Sequence, residues 1–106
     1  MNAPGRAVEI TLNHTEQRFE AGLDGKQAVL EFYISNGSIV FTHTEVPEQF
    51  EGGGVGSALV RAGLEYARKE RLYVVPACPF VQTYLRRHPQ DLELVKPETR
   101  RKLSLD

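Results

Sequence analysis

The sequence has one cysteine, Cys78, so it can build neither an internal disulfide framework nor a multi-cysteine zinc site. Its three histidines, His14, His43 and His88, are too far apart to show metal-ligand spacing. No apolar run reaches the roughly 18 residues that a membrane-spanning helix needs. The first thirty residues are polar and charged and contain no secretory apolar core. Internal repeats and an interdomain linker are also missing. Thirteen Lys and Arg against fourteen Asp and Glu give a net charge of −1. That balance argues against a strongly basic nucleic-acid binder and against an acidic disordered tail. What remains is one ordinary domain of 106 residues, 41% hydrophobic and 25% charged, long enough for one modest core. A cytoplasmic protein is expected, a monomer or weak homodimer, with no metal, nucleic-acid or membrane partner.

The near-zero net charge hides an asymmetry. Residues 1–60 hold three basic and eight acidic groups, and residues 61–106 hold ten basic and six acidic ones. Two solvated surfaces of opposite sign would explain this. So would an anionic ligand docked on the C-terminal half.

Residues 1–6 read as a disordered leader. Val8, Ile10 and Leu12 alternate with Glu9 and Thr11, which is strand periodicity. A second strand is expected over 18–23, followed by the turn signal Asp24-Gly25. A β-rich run over 27–35 leads to the tight-turn pair Asn36-Gly37 and a further strand over 38–46. Pro47 ends that strand. The period then becomes helical from Val55 to Glu70: Val55, Ala58, Leu59, Ala62 and Tyr66 share one face, and Arg61, Glu65, Arg68 and Lys69 another. A short apolar strand over 72–75 is closed by Pro76. Pro79 suits the first turn of a helix over 80–87, and Pro89 stops it. Residues 92–95 read as a last edge strand. Residues 96–106 form a charged tail, frayed helix or disordered. The fold class is α/β with a mixed α+β sheet: antiparallel N-terminal strands, then strand, loop, helix, strand, helix.

Four of the nine glycines fall within residues 52–56, between a strand end and the long helix. Serial glycines let backbone N–H groups converge on an anion, and the helix dipole points its positive end there. The choice lies between a flexible loop and a phosphate site. A nucleoside-triphosphate loop would need a lysine before Ser57, where Gly56 stands. A dinucleotide fingerprint would need a third glycine at Leu59 and an acid about 20 residues on, where the chain reads Val-Val-Pro.

Glu51-Gly52-Gly53-Gly54-Val55-Gly56-Ser57-Ala58-Leu59 resembles the acetyl-coenzyme A loop of the GNAT superfamily of N-acetyltransferases. Gly54 and Gly56 match that pattern, and Glu51 stands where glutamine or arginine is usual. With Phe41-Thr42-His43-Thr44-Glu45-Val46-Pro47, Val74-Val75-Pro76-Ala77-Cys78-Pro79-Phe80-Val81 and Tyr84-Leu85-Arg86-Arg87-His88-Pro89, the chain resembles the short, single-domain YjdJ-like branch. That resemblance implies one domain over residues 7–95, a minimal GNAT-like fold without the N-terminal helices that usually shape the acceptor pocket. It implies a sheet that splays between its central strands, with acetyl-coenzyme A or coenzyme A in the splay. The pyrophosphate would take N–H groups from Gly52, Gly53, Gly54, Val55, Gly56 and Ser57, and the pantetheine would pair with the strand ending at Val46. The implied activity is acetyl transfer to an unidentified amine, a small molecule or a protein. A coenzyme A-binding module with little catalysis is the alternative.

The backbone N–H at or near Val46 would polarise the thioester carbonyl if a bulge freed it from the ladder. Glu45 would be the general base, sharing a strand face with His43; a solvated carboxylate or a salt bridge, and a hydrogen-bonded structural histidine, are the plainer accounts. Cys78 opens the second helix, where a thiol is activated. It would serve as nucleophile, as acid to the leaving thiolate or as a cofactor contact, or else be a small buried residue. The resemblance makes Tyr84 a candidate acid for the leaving thiolate, with core packing as the alternative. Arg61, Arg68, Arg86 and Arg87 are candidates for the nucleotide phosphates, Arg86 and Arg87 foremost, or form a solvated cationic face.

Overall fold

A computed structural model describes residues 9–23, 25–50 and 53–106. The expected leader, Val8, Asp24, Glu51 and Gly52 lie outside the described residues. Four antiparallel strands come first: β1 (Thr11–Asn13), β2 (Arg18–Leu23), β3 (Lys26–Ser35) and β4 (Ser38–Glu45). Helix α1 (Val55–Glu70) crosses to β5 (Tyr73–Pro76), which pairs parallel with β4. Helix α2 (Pro79–Arg87), a 3-10 helix (Pro89–Leu94) and α3 (Pro97–Lys102) complete the chain. Strand order in the sheet is β1-β2-β3-β4-β5. No helix among the described residues is long and apolar enough to cross a membrane.

Local chemistry explains the turns. Asn36 and Gly37 both have positive φ, 50° and 79°, the backbone of a two-residue hairpin whose twist suits the flanking strands. Helix α1 ends where Arg71 adopts the left-handed conformation and its N–H reaches Ala67 O and Arg68 O. Pro79 opens α2, and the Cys78 N–H before it donates to Phe41 O at 2.9 Å, tying the helix start to β4.

One sheet face carries the core. Leu30, Ile39 and Phe41 pack with Leu59, Leu64 and Ala67 of α1, all essentially without solvent contact. Gly63 makes the close approach possible: a Cβ there would stand 2.8 Å from Cζ of the Phe41 ring.

The pairing of β3 with β4 slips between Glu31 and Phe32. Glu31 faces His43 and Phe32 faces Phe41, so Thr42 is the extra residue of a bulge. The bulge thus lies at Thr42, and Val46 instead follows the last paired residue of β4.

Two C-terminal expectations change. Residues 92–95 are not an edge strand. Leu92 belongs to the 3-10 helix and sends its carbonyl to the Val95 N–H, and this three-residue spacing turns both side chains into the core. Arg68 of α1 holds this segment through Asp91, 2.7 Å away. The charged tail folds back: α3 ends in a left-handed Ser104, the Leu105 N–H bonds Arg100 O, and Leu105 is 3% exposed in the core.

On the sheet's other face, Arg18 bonds Glu20 and holds its carboxyl below the usual carboxylate range, with help from Asn13. This pair contributes fully above that range and is lost as pH falls through the lowered value. The melting temperature is therefore expected to decline below roughly pH 4, and less steeply in Glu20→Gln. Thermal scans across pH test this. Gly63→Ala should destabilise the fold by about 1 kcal/mol, because overpacking of ~1–3 kcal/mol opposes ~1 kcal/mol of gained helix propensity. Calorimetry should record a drop of roughly 4–8 °C.

Candidate active site

Strands β4 and β5 pair over only four positions, from Ser38↔Tyr73 to Phe41↔Pro76. Beyond them β4 continues, while the segment after β5 turns at Cys78 into α2. The two strands therefore part, and β4 keeps an edge that β5 does not cover from Thr42 onward. A cleft of 420 Å³ lies there, lined by Thr44, Val46, Phe50, Gly54, Val55, Gly56, Ser57 and Phe80.

Two elements supply polar groups to it. The first turn of α1 contributes Val55, Gly56 and Ser57, whose N–H groups have no partner within the helix. Gly54 caps that turn at φ 77°, with no side chain reaching over it and no acid in the first turn. The end is therefore positive and open to an anion. Gly56 has a separate role, since a Cβ there would come within 2.6 Å of Cζ of Phe80. Its absence lets the aromatic ring lie on the helix as a cleft wall.

The second element is β4. The bulge at Thr42 reverses the strand's alternation, so Thr44, not His43, follows Phe41 on the helix-facing side. Thr44 Oγ1 lies 3.1 Å from Cys78 Sγ, a hydrogen-bonded contact in which either can donate. Cys78 is itself 4% exposed and stands behind Thr44 where the strands part. His43 and Glu45 share the opposite face as expected, 3.6 Å apart and well exposed.

The sequence candidates divide accordingly. Val46, Gly54, Val55, Gly56 and Ser57 come together at the cleft, and Cys78 touches it through Thr44. Gly53 precedes them in the turn, and Gly52 lies outside the described residues. Tyr84 instead lines a second cavity of 480 Å³ between α1 and α2, with Arg61, Arg68 and His88, and its ring stacks on His88 at 3.9 Å. Arg68 is engaged with Asp91 and Glu93. Arg86 donates to the carbonyls of Leu103 and Ser104, so it holds the C-terminal turn rather than the cleft. Arg87 is exposed at the end of α2. Sequence reasoning missed Thr44, Phe50 and Phe80. Thr44 is hidden by a bulge with no sequence mark; Phe80, just after the helix-opening Pro79 and facing the glycine of α1, was the more findable.

The arrangement can hold an anion at the α1 terminus and an extended, amide-bearing chain along the uncovered edge of β4. Comparisons with known proteins bear on the family and the fold. A family model described as GCN5-related N-acetyl-transferase matches residues 18–94. Protein NATD1 of Mus musculus is 33% identical over 95 residues, covering 83% of this chain and 86% of its own length. Protein NATD1 of Xenopus tropicalis is 28% identical over 99 residues, covering 89% of this chain and 91% of its own. The NMR solution structure of a "GCN5-like putative N-acetyltransferase" from Staphylococcus aureus superposes with a TM-score of 0.68 at 27% identity, over 84% of this chain and 88% of that one.

Thr44→Val keeps the side-chain shape and removes the partner of Cys78 Sγ. It should lower stability by about 1 kcal/mol, while Thr44→Ser should stay near the parent. Denaturant titration of the two variants provides the comparison.

Proposed function

The chain belongs to the GCN5-related N-acetyl-transferase family, and on that premise we propose that it binds acetyl-coenzyme A in the split between β4 and β5 and passes the acetyl group to an amine. The observation that carries this reading is the parting of two parallel strands beside a glycine-opened helix N-terminus. The pyrophosphate is assigned to the first-turn N–H groups of α1 at Val55, Gly56 and Ser57, after Gly53 and Gly54. The pantetheine amides are assigned to the uncovered edge of β4, which offers backbone donors and acceptors as a neighbouring strand would. The Val46 N–H, just past the paired part of β4, is the proposed donor to the thioester carbonyl.

Transfer then needs a neutral amine. Glu45, exposed and beside the split, is the proposed acceptor of the ammonium proton. The amine nitrogen attacks the carbonyl carbon, the C–N bond forms, and the C–S bond breaks. The sulfur leaves as a thiolate at the end of the cleft held by Thr44 and Cys78, and it takes up the proton that the attacking nitrogen sheds as it becomes an amide. Burial of Cys78 behind Thr44 favours direct attack over an acetyl-cysteine. Holding both reactants together supplies much of the acceleration.

Thermal denaturation with coenzyme A or acetyl-coenzyme A tests the binding step. At a hundredfold its dissociation constant the ligand should stabilise the protein by about 2.7 kcal/mol, and no shift at millimolar ligand would sink the reading. Acid-trapped protein should weigh the same before and after acetyl-coenzyme A, with thiol released only when an amine is present, also in Cys78→Ala. An adduct lost in Cys78→Ala would move the route through the cysteine; binding with no release for any amine would leave a coenzyme A-binding module. Gly56→Ala should fold, because Phe80 is 42% exposed and can swing aside. The displaced ring narrows the cleft, so affinity for coenzyme A should fall about tenfold, a cost of ~1.4 kcal/mol. Calorimetric titration measures it.

A further inference from the structure

The sheet face opposite α1 carries side chains of a different kind from the core face. Residues alternate along each strand, so Glu31 and Tyr33 of β3, Val40 of β4, and Tyr73 and Val75 of β5 point away from the core. Tyr33 and Tyr73 are 47% and 49% exposed. Among the described residues, the one long side chain recorded over this aromatic end is Lys96, 5.0 Å from the Tyr73 ring.

The face is ordered along the strands. At the end beside the split stand Glu45, whose row runs through Val29 to Glu20, and Glu31, whose row runs through His43 and Arg18. Arg18 is already bound to Glu20. Glu31 makes no ion pair among the described residues, and the only partner of Glu45 there is His43. At the other end lie Tyr33, Val40, Val75 and Tyr73. The six-residue step along β3 from the Glu45 row to the Ser35–Ser38 row spans about 20 Å at ~3.3 Å per residue. Glu45 projects on this face from between the cleft residues Thr44 and Val46.

We propose that this face docks the acceptor, and that the acceptor is an extended polypeptide segment carrying a lysine. Its ammonium is received by Glu31 and Glu45 at the split, and apolar neighbours along the segment cover Tyr33 and Tyr73. The proposal rests on the acetyl-transfer reading for its consequence but not for the docking itself. Charge complementarity selects a cation, because Glu20, Glu31 and Glu45 outnumber Arg18 on these rows, with His43 the only ion-pair partner of Glu45 among the described residues. The aromatic end selects a chain of about six residues, since a small amine or a polyamine would fill the acidic rows and leave the tyrosines bare.

The probe is an end-blocked heptapeptide with a central lysine flanked by leucine and tyrosine, fluorescently labelled, with the intact protein. Anisotropy should show binding that weakens at least tenfold in Glu31→Lys and severalfold in Tyr33→Ser, while the melting shift with coenzyme A stays unchanged in both. With acetyl-coenzyme A, kcat/KM for the peptide should exceed that for propylamine and spermidine at least tenfold, and Tyr33→Ser should raise KM for the peptide and leave propylamine unaffected. Absence of peptide binding, binding indifferent to both substitutions, or a preference for spermidine or propylamine overturns the proposal. Peptide binding without a coenzyme A shift would support the docking face and overturn the acetyl-transfer reading instead.

Discussion

The single hydrogen bond from the Cys78 N–H to Phe41 O, at 2.9 Å, sits where β4 and β5 stop being one sheet. On one side of it the strands are paired and buried under α1. On the other, β4 runs on without its neighbour, and α2 begins. The start of α2, the depth of the cleft and the approach of Cys78 to Thr44 all follow from where that last bond falls. A longer β5 would close the cleft, and a shorter one would leave α2 without its tie to the sheet. Pro76 and Pro79 bracket the position, since proline offers no ladder donor and favours a helix start.

Much of the fold was legible because its signals are local. The 3.6-residue period from Val55 to Glu70 and the Asn36-Gly37 turn depend on a few neighbouring residues, and both appear where the sequence puts them. The glycine-dense entry to α1 was legible for the same reason, and Gly54 caps the helix there in the left-handed conformation. The bulge at Thr42 was not, because it answers to the fit between two strands and leaves no mark on either. It decides which of Thr44, His43 and Glu45 meets the cleft. The C-terminal segment was misread in part because Leu92, Leu94 and Val95 fit a strand or a 3-10 turn equally well. Arg68, far away in sequence, settles the choice through Asp91.

Two glycines of α1 show how one residue type serves different ends. Gly63 accepts a buried ring and belongs to stability. Gly56 accepts a half-exposed ring and shapes the cleft. The arginines divide in a similar way. Arg68 and Arg86 are used to hold the C-terminal segment to the helices, so part of the basic excess of residues 61–106 is internal cement.

Strand order in the sheet repeats chain order, β1 through β5. Every antiparallel pair is therefore formed with the strand just before it, across short turns. Such hairpins close in about 1–10 μs, and topologies of local contacts fold fast. Only the β4–β5 pairing must wait for a long excursion, through the whole of α1. The meander can assemble first as a template, and the parallel closure that creates the cleft comes last. The cleft end of the molecule is thus the part with the highest loop-closure cost, and the first to be given back when the protein opens locally.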